Sequence, residues 1–96
     1  MTLEEEIRRA GKAREILTNE IFKEAFRDIE AALLAGIRQA AFTDDKMREK
    51  LCMRYDLLHI LRDQIQTHME TGMLAEEEIR RKGLLESAQE YFRGQP

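Results

Sequence analysis

The chain has 96 residues, of which 36% are charged and 43% are hydrophobic, with a net charge of -3, one cysteine and no tryptophan. This length predicts one domain, 1–96, and a chain this short buries only about 60 to 65% of the surface that its unfolded state exposes. The acidic balance argues against nonspecific binding to nucleic acid or anionic membranes. A single cysteine excludes an internal disulfide and fits a reducing cytoplasm or a compartment where thiols have no role. We expect neither a signal peptide nor a membrane-spanning segment.

A first helix is predicted to begin at a capping box formed by Thr2 and Glu5, whose side chains can satisfy free backbone amides. It should run to about Ile16 or Leu17. Its apolar residues share one face: Leu3, Ile7, Ala10 and Leu17. This helix should therefore pack on a neighbour along one side.

The two longest apolar stripes flank a short break at Thr43-Asp44-Asp45. Their spacing predicts helices over about 20–42 and 44–71, with the Thr18-Asn19 pair and Thr43 as N-cap candidates. A link this short makes two helices antiparallel neighbours, because it cannot carry the chain back to a parallel start. The sequence therefore predicts an all-α fold built on a long antiparallel helical hairpin.

The apolar arcs on the hairpin helices are each roughly 160° wide, which is more than one antiparallel partner covers. On the second helix the arc runs from Ile21 to Ala40. On the third it includes Met47, Leu51, Tyr55, Leu57, Leu58, Leu61, Ile65 and Met69. Arg54 falls inside this stripe, where its stem can pack while its charge reaches an edge or a partner protein. We expect the first helix, the segment after Gly72, another copy of the chain or another protein to cover the remainder of these arcs.

A break or kink is predicted near Gly72, followed by a C-terminal helix over 73–93 that could protrude as a docking helix. Glu77 and Arg81 interrupt its apolar face midway, so its middle should be exposed. The candidate interaction residues are Arg54 and five apolar residues of this last helix: Leu74, Leu84, Leu85, Tyr91 and Phe92.

The words EEEIRRAG at 4–11 and EEEIRRKG at 76–83 differ at one position. One interpretation is a pair of matched charged faces that dock on a repeated partner. The simpler interpretation is two solvated helix faces, because glutamate four residues before arginine, as in Glu77 with Arg81, gives a favourable pair.

Catalytic and metal motifs are sparse. Asp56 and His59 have the acid-x-x-His spacing of di-iron bundles, but the motif stands alone and a surface ion pair explains it more simply. Cys52 fits a small helical filler. No phosphate-binding loop, nucleophile elbow or HExxH motif is present, so we expect no enzyme, no metal and no cofactor.

An alternative function is nucleic-acid binding by a packaging or regulatory factor, for which the first helix offers four basic residues: Arg8, Arg9, Lys12 and Arg14. Acidic neighbours largely cancel these charges. The sequence also has no helix-turn-helix with a basic recognition helix and no aromatic residues placed for base stacking. Nucleic acid is therefore the less favoured partner.

The segments 13–22 (AREILTNEIF) and 68–75 (HMETGMLA) give the chain a local pattern that resembles small helical proteins from structural or packaging gene clusters of tailed bacteriophages and prophages. The resemblance covers about residues 9–76. It implies a virion or assembly accessory factor, found in the bacterial host cytoplasm or the virion, that binds a phage structural or packaging protein. The prediction is thus a non-enzymatic interaction protein that acts through helix-helix contacts and forms homo-oligomers.

Overall fold

The computed structural model describes residues 1–40 and 42–94, which form three α-helices and, within these ranges, no strand. Helix α1 spans Leu3–Thr18, α2 spans Glu20–Ala40 and α3 spans Asp45–Arg93. The predicted all-α class is confirmed. The second helix, predicted over 20–42, ends at Ala40, and Ala41 lies outside the described residues.

Short polar caps begin all three helices. Thr2 Oγ1 accepts a hydrogen bond from the Glu5 amide at 3.1 Å, as the capping box predicts. Asn19 ends α1 and also begins α2, since its amide donates to the Ile16 carbonyl while its Oδ1 accepts from the Phe22 amide at 3.0 Å. One residue therefore separates the two helices.

Asp44, not Thr43, is the N-cap of α3. Asp44 Oδ1 accepts from the Met47 amide at 3.0 Å, whereas the Thr43 hydroxyl donates backwards to the Gln39 carbonyl. The prediction of Thr43 was wrong because a hydroxyl and a carboxylate can both cap a helix, and the carboxylate also gains from the helix dipole.

Helices α1 and α2 lie one after the other along the same long helix α3. Gly36 lies against Leu51, and Phe26 further back on α2 lies against His59, so α2 runs antiparallel to α3. Helix α1 packs further along α3, since Ala10 lies against Gly72. The architecture is a helical hairpin whose first arm is interrupted at Asn19.

The predicted break near Gly72 is wrong, because α3 is continuous from Asp45 to Arg93. Gly72 is buried where α1 crosses α3. A Cβ at this position would collide with the Ala10 Cβ and lie 2.8 Å from the Glu6 carbonyl oxygen. The glycine therefore permits a close helix crossing in the middle of α3 instead of ending the helix.

The molecule is long and thin, with extents of 82 × 24 × 19 Å. Its radius of gyration is 22.1 Å, whereas a compact domain of this length has about 12 Å. The 49 residues of α3 alone extend over about 74 Å. The short helices α1 and α2 cover only part of that length.

The interior of the chain is correspondingly small. The buried hydrophobic residues among those described are four alanines: Ala10, Ala13, Ala40 and Ala75. No described large side chain falls below 2% exposure. Packing of half-buried side chains against α3, rather than a central core, holds α1 and α2 in place.

Candidate interaction surfaces

An aromatic cluster joins α2 to α3 near the middle of the hairpin. Phe26 meets the edge of the His59 ring at 5.4 Å between centroids, and Tyr55 lies 4.5 Å from the same ring. His59 Nε2 is 2.7 Å from Glu30 Oε2, although the contact does not have hydrogen-bond geometry. The predicted surface pairing of His59 with Asp56 is wrong because His59 faces α2, where a carboxylate and an aromatic ring are available.

The last part of α3, residues 76–93, lies beyond the crossing with α1, and every residue in it is exposed. Four of its charged side chains form two pairs. Arg80 forms a forked pair with both carboxylate oxygens of Glu77, and Lys82 lies 3.3 Å from Glu78. This pairing lowers the pKa of Glu77, chiefly through the hydrogen bond from Arg80 and then its charge. The predicted partner of Glu77, Arg81, makes only a smaller contribution.

An apolar stripe follows one side of this free end. We call it the tip stripe, and its residues are Leu84, Leu85, Tyr91 and Phe92. Their exposed fractions run from 57% to 72%, and the rings of Tyr91 and Phe92 pack edge to face at 5.6 Å. Leu74, predicted with them, is 73% exposed but lies before the free end. The structure thus leaves all five predicted apolar residues accessible.

A second apolar surface lies in the open groove between α2 and α3. We call it the hairpin groove, and its residues are Ile29, Leu33, Arg54, Leu57, Leu58 and Leu61. Leu58 is half-buried against α2, whereas Leu57 and Leu61 are 65% and 55% exposed. Arg54 is the charged member of the groove, which places the predicted interaction residue beside uncovered leucines.

A third groove lies where α1 meets α2, and it combines an apolar floor with positive charge. Lys23, Arg27 and Arg62 line it together with Leu17, Phe22, Phe26, Gln66 and Met69. The guanidinium of Arg62 lies 5.4 Å from the centre of the Phe26 ring, in the range of a cation–π contact. Sequence reasoning missed these cations because they converge from two helices and no single helix shows the cluster.

The basic residues of α1 do not form one patch. Arg9 and Lys12 line a groove with His68, while Arg8 and Arg14 are exposed outside it. Arg9 also contacts the Met1 sulfur at 3.7 Å. The structure therefore brings together two of the four candidates for nucleic-acid contact and leaves the other two separate.

Within residues 1–40 and 42–94, no group of three or more His, Cys, Asp or Glu side chains could hold a metal ion. None of the helices there has an apolar stretch long enough to cross a membrane. Cys52 is exposed on α3, so the prediction that it fills a packed helix face was wrong. Its position on the outside of the helix leaves it without a packing role.

Comparison of the chain with protein-family profiles, with curated proteins and with solved structures found no match. The resemblance to phage proteins, and the location and partners that it implies, accordingly stay predictions. The surfaces themselves are the basis for a functional proposal.

Proposed function

We propose that this chain is a non-enzymatic interaction protein, in which the helical hairpin is a scaffold and the free end of α3 binds a protein partner. The observation that carries the proposal is the tip stripe. It places four large apolar side chains on a segment of α3 that no other described part of the chain covers. The context suggested by the sequence resemblance is an assembly step in a bacteriophage or prophage.

The geometry of the free end favours a helix-in-groove or helix-to-helix contact. Leu84, Leu85, Tyr91 and Phe92 occupy positions i, i+1, i+7 and i+8, which fall within an arc of about 120° on one face of a helix, and an amphipathic helix enters an apolar groove through such a face. Tyrosine is among the residue types that contribute most of the binding energy in many interfaces. The paired charges of Glu77 and Arg80 lie between this stripe and the hairpin, so they favour a helix that stays straight in water.

A protein partner fits this surface better than a nucleic acid does. The tip stripe carries no cluster of lysine or arginine that could neutralise successive phosphates. The basic residues of segments 4–11 and 76–83 are mixed with glutamates. Binding through the stripe should therefore depend weakly on salt, whereas phosphate contacts would make it depend steeply on salt.

The test uses the full-length chain as bait in a lysate of its natural source, followed by binding measurements with the purified captured protein. The double variant Leu84→Glu/Leu85→Glu should lose that protein, while Lys82→Glu, which is exposed on the same segment, should retain it. Circular dichroism checks that each variant stays helical. Equal capture by all three chains, or binding that disappears only with rising salt, would contradict the proposal.

A further inference from the structure

We propose that the hairpin groove is the interface of a symmetric dimer, in which a second copy of this chain covers Ile29, Leu33, Leu57, Leu58 and Leu61. This proposal concerns a different surface from the tip stripe and does not depend on what the tip binds.

One chain exposes 7928 Å². A compact monomeric protein of 11.3 kDa exposes about 5,700 Å². The excess of about 2,200 Å² is large on the scale of protein interfaces, since a standard dimer buries about 800 Å² per chain and obligate homodimers bury about 1,000 to 2,500 Å² per chain. The free end of α3 accounts for part of the excess, and a dimer interface of the standard size needs less than half of it.

The small number of buried side chains also favours a dimer. Four alanines are the buried hydrophobic residues of the described chain, while Leu57 and Leu61 of the hairpin groove remain more than half exposed and Ile29 is 49% exposed. Every folded copy of the chain has this shortage of buried apolar surface, so the partner that covers the exposed side chains must be present in equal number. A second copy of the chain meets that condition, as it does in obligate homodimers.

The shape of the hairpin groove also suits a copy of itself. Two antiparallel helices that both present apolar side chains to one side form half of a four-helix bundle, and a second pair completes the core. Arg54 is placed where its stem can pack on Leu57 and Leu58 while its guanidinium reaches solvent at the edge of the bundle. Arg54 therefore does not prevent a second copy from covering the hairpin groove.

Symmetry sets the arrangement at the centre of the interface. In a twofold dimer the same patch occurs on both sides, so the axis passes through the middle of the patch and residues there meet their own counterparts. Leu57 lies near the middle of the residues that α3 contributes to the groove, between Arg54 and Leu61. Leu57 of one copy should therefore lie close to Leu57 of the other.

The first test is the mass in solution by sedimentation equilibrium over a concentration series. The wild-type chain should have a mass of 22.6 kDa, twice the 11.3 kDa of one chain. Leu61→Glu should reduce the mass to one chain, whereas Ile60→Glu should leave the dimer intact. The two side chains are matched, at 55% and 54% exposed, but Ile60 lies outside the groove. A wild-type monomer at all concentrations, or the same response to both variants, would overturn the proposal.

A second measurement guards against variants that simply unfold. In a Cys52→Ser background, Leu57→Cys should form a covalent dimer with a short bismaleimide linker, while Ile60→Cys and Leu84→Cys should not. Both leucine positions are similarly exposed, at 65% for Leu57 and 62% for Leu84. Cross-linking at Leu84 and not at Leu57 would place the contact between copies on the free end of α3 and exclude the hairpin groove.

Discussion

Two nearly identical eight-residue segments lie in opposite environments in this protein. Residues 4–11 lie on α1 beside α3, whereas residues 76–83 lie on the free end of α3. The words differ only at Ala10 and Lys82. Ala10 is buried at the crossing with Gly72, and Lys82 is exposed and pairs with Glu78. The one position at which the two segments differ is thus buried in the docked segment and exposed in the free one.

In these two segments, different residues determine helix formation and helix docking. The shared charged residues suit a helix in water in both words, so both segments are helical. Docking involves small buried residues, which let two backbones approach, and Ala10 meets Gly72 directly at the crossing.

Ala10→Lys makes the first word identical to the second and should detach α1 from α3. A lysine cannot fit against Gly72 without moving the helix, and its charge would lose water, so we expect a loss of about 3 kcal/mol in the free energy of unfolding. Urea unfolding followed by circular dichroism at fixed protein concentration measures it. The reverse exchange Lys82→Ala is the control and should change stability by less than about 0.5 kcal/mol. Equal effects of the two exchanges would contradict the role given to Ala10.

Gly72→Ala tests the other side of the crossing. The added methyl group would meet Ala10 and lie 2.8 Å from the Glu6 carbonyl oxygen, so α1 must shift away. We expect a loss of about 1 to 3 kcal/mol, although alanine is the better helix former. Thermal unfolding measures it, and stabilisation by this substitution would show that α1 does not pack closely on α3.

Gly11→Ala and Gly83→Ala should each stabilise the chain by up to about 1 kcal/mol, because alanine has the higher helix propensity. At both positions an added Cβ meets nothing within 4 Å. The same unfolding assay applies, and the pair gives the matched control for Gly72. Destabilisation at Gly11 alone would mean that α1 is packed on that side as well.

Arg80→Gln should raise the titration midpoint of the Glu77 carboxylate in a carbon-13 NMR titration. The pKa of Glu77 is lowered in the folded chain, first by the hydrogen bond from Arg80 and then by its charge. A lowered pKa contributes stability above the unfolded value and loses it as the pH falls through the folded value. Arg81→Gln should raise the midpoint less, and an equal shift from both would show that the forked pair is not formed.

Much of the helical framework could be predicted from local sequence. The capping residues Thr2 and Asn19 and the tight link before α3 all act within a few residues, so their effects are visible in the sequence. The role of Gly72 could not be predicted in this way, because a glycine can either end a helix or allow another helix to cross closely. Which of the two occurs here depends on Ala10, which is far away in sequence. The pairing of His59 with Glu30 was missed for the same reason.

The interaction surfaces were predictable only in outline. The width of the apolar arcs indicated that one helical partner would not cover them, but it did not identify the uncovered residues. That depended on where α1 and α2 lie along α3, which leaves Leu57 and Leu61 exposed and Leu51 half-buried. The exposure of Leu84 and its neighbours could not be predicted, because the segment after Gly72 could also have packed on the apolar arcs of the hairpin.

Hydrogen exchange measured by NMR or mass spectrometry tests the central contrast most directly. The two words share seven of eight residues, so their intrinsic exchange rates are nearly equal and any difference reports structure. Amides of residues 7–11 should exchange much more slowly than those of residues 79–83 in the isolated protein. Both sets lie past the first turn of their helix. Equal protection of the two words would contradict the account of one docked and one free segment.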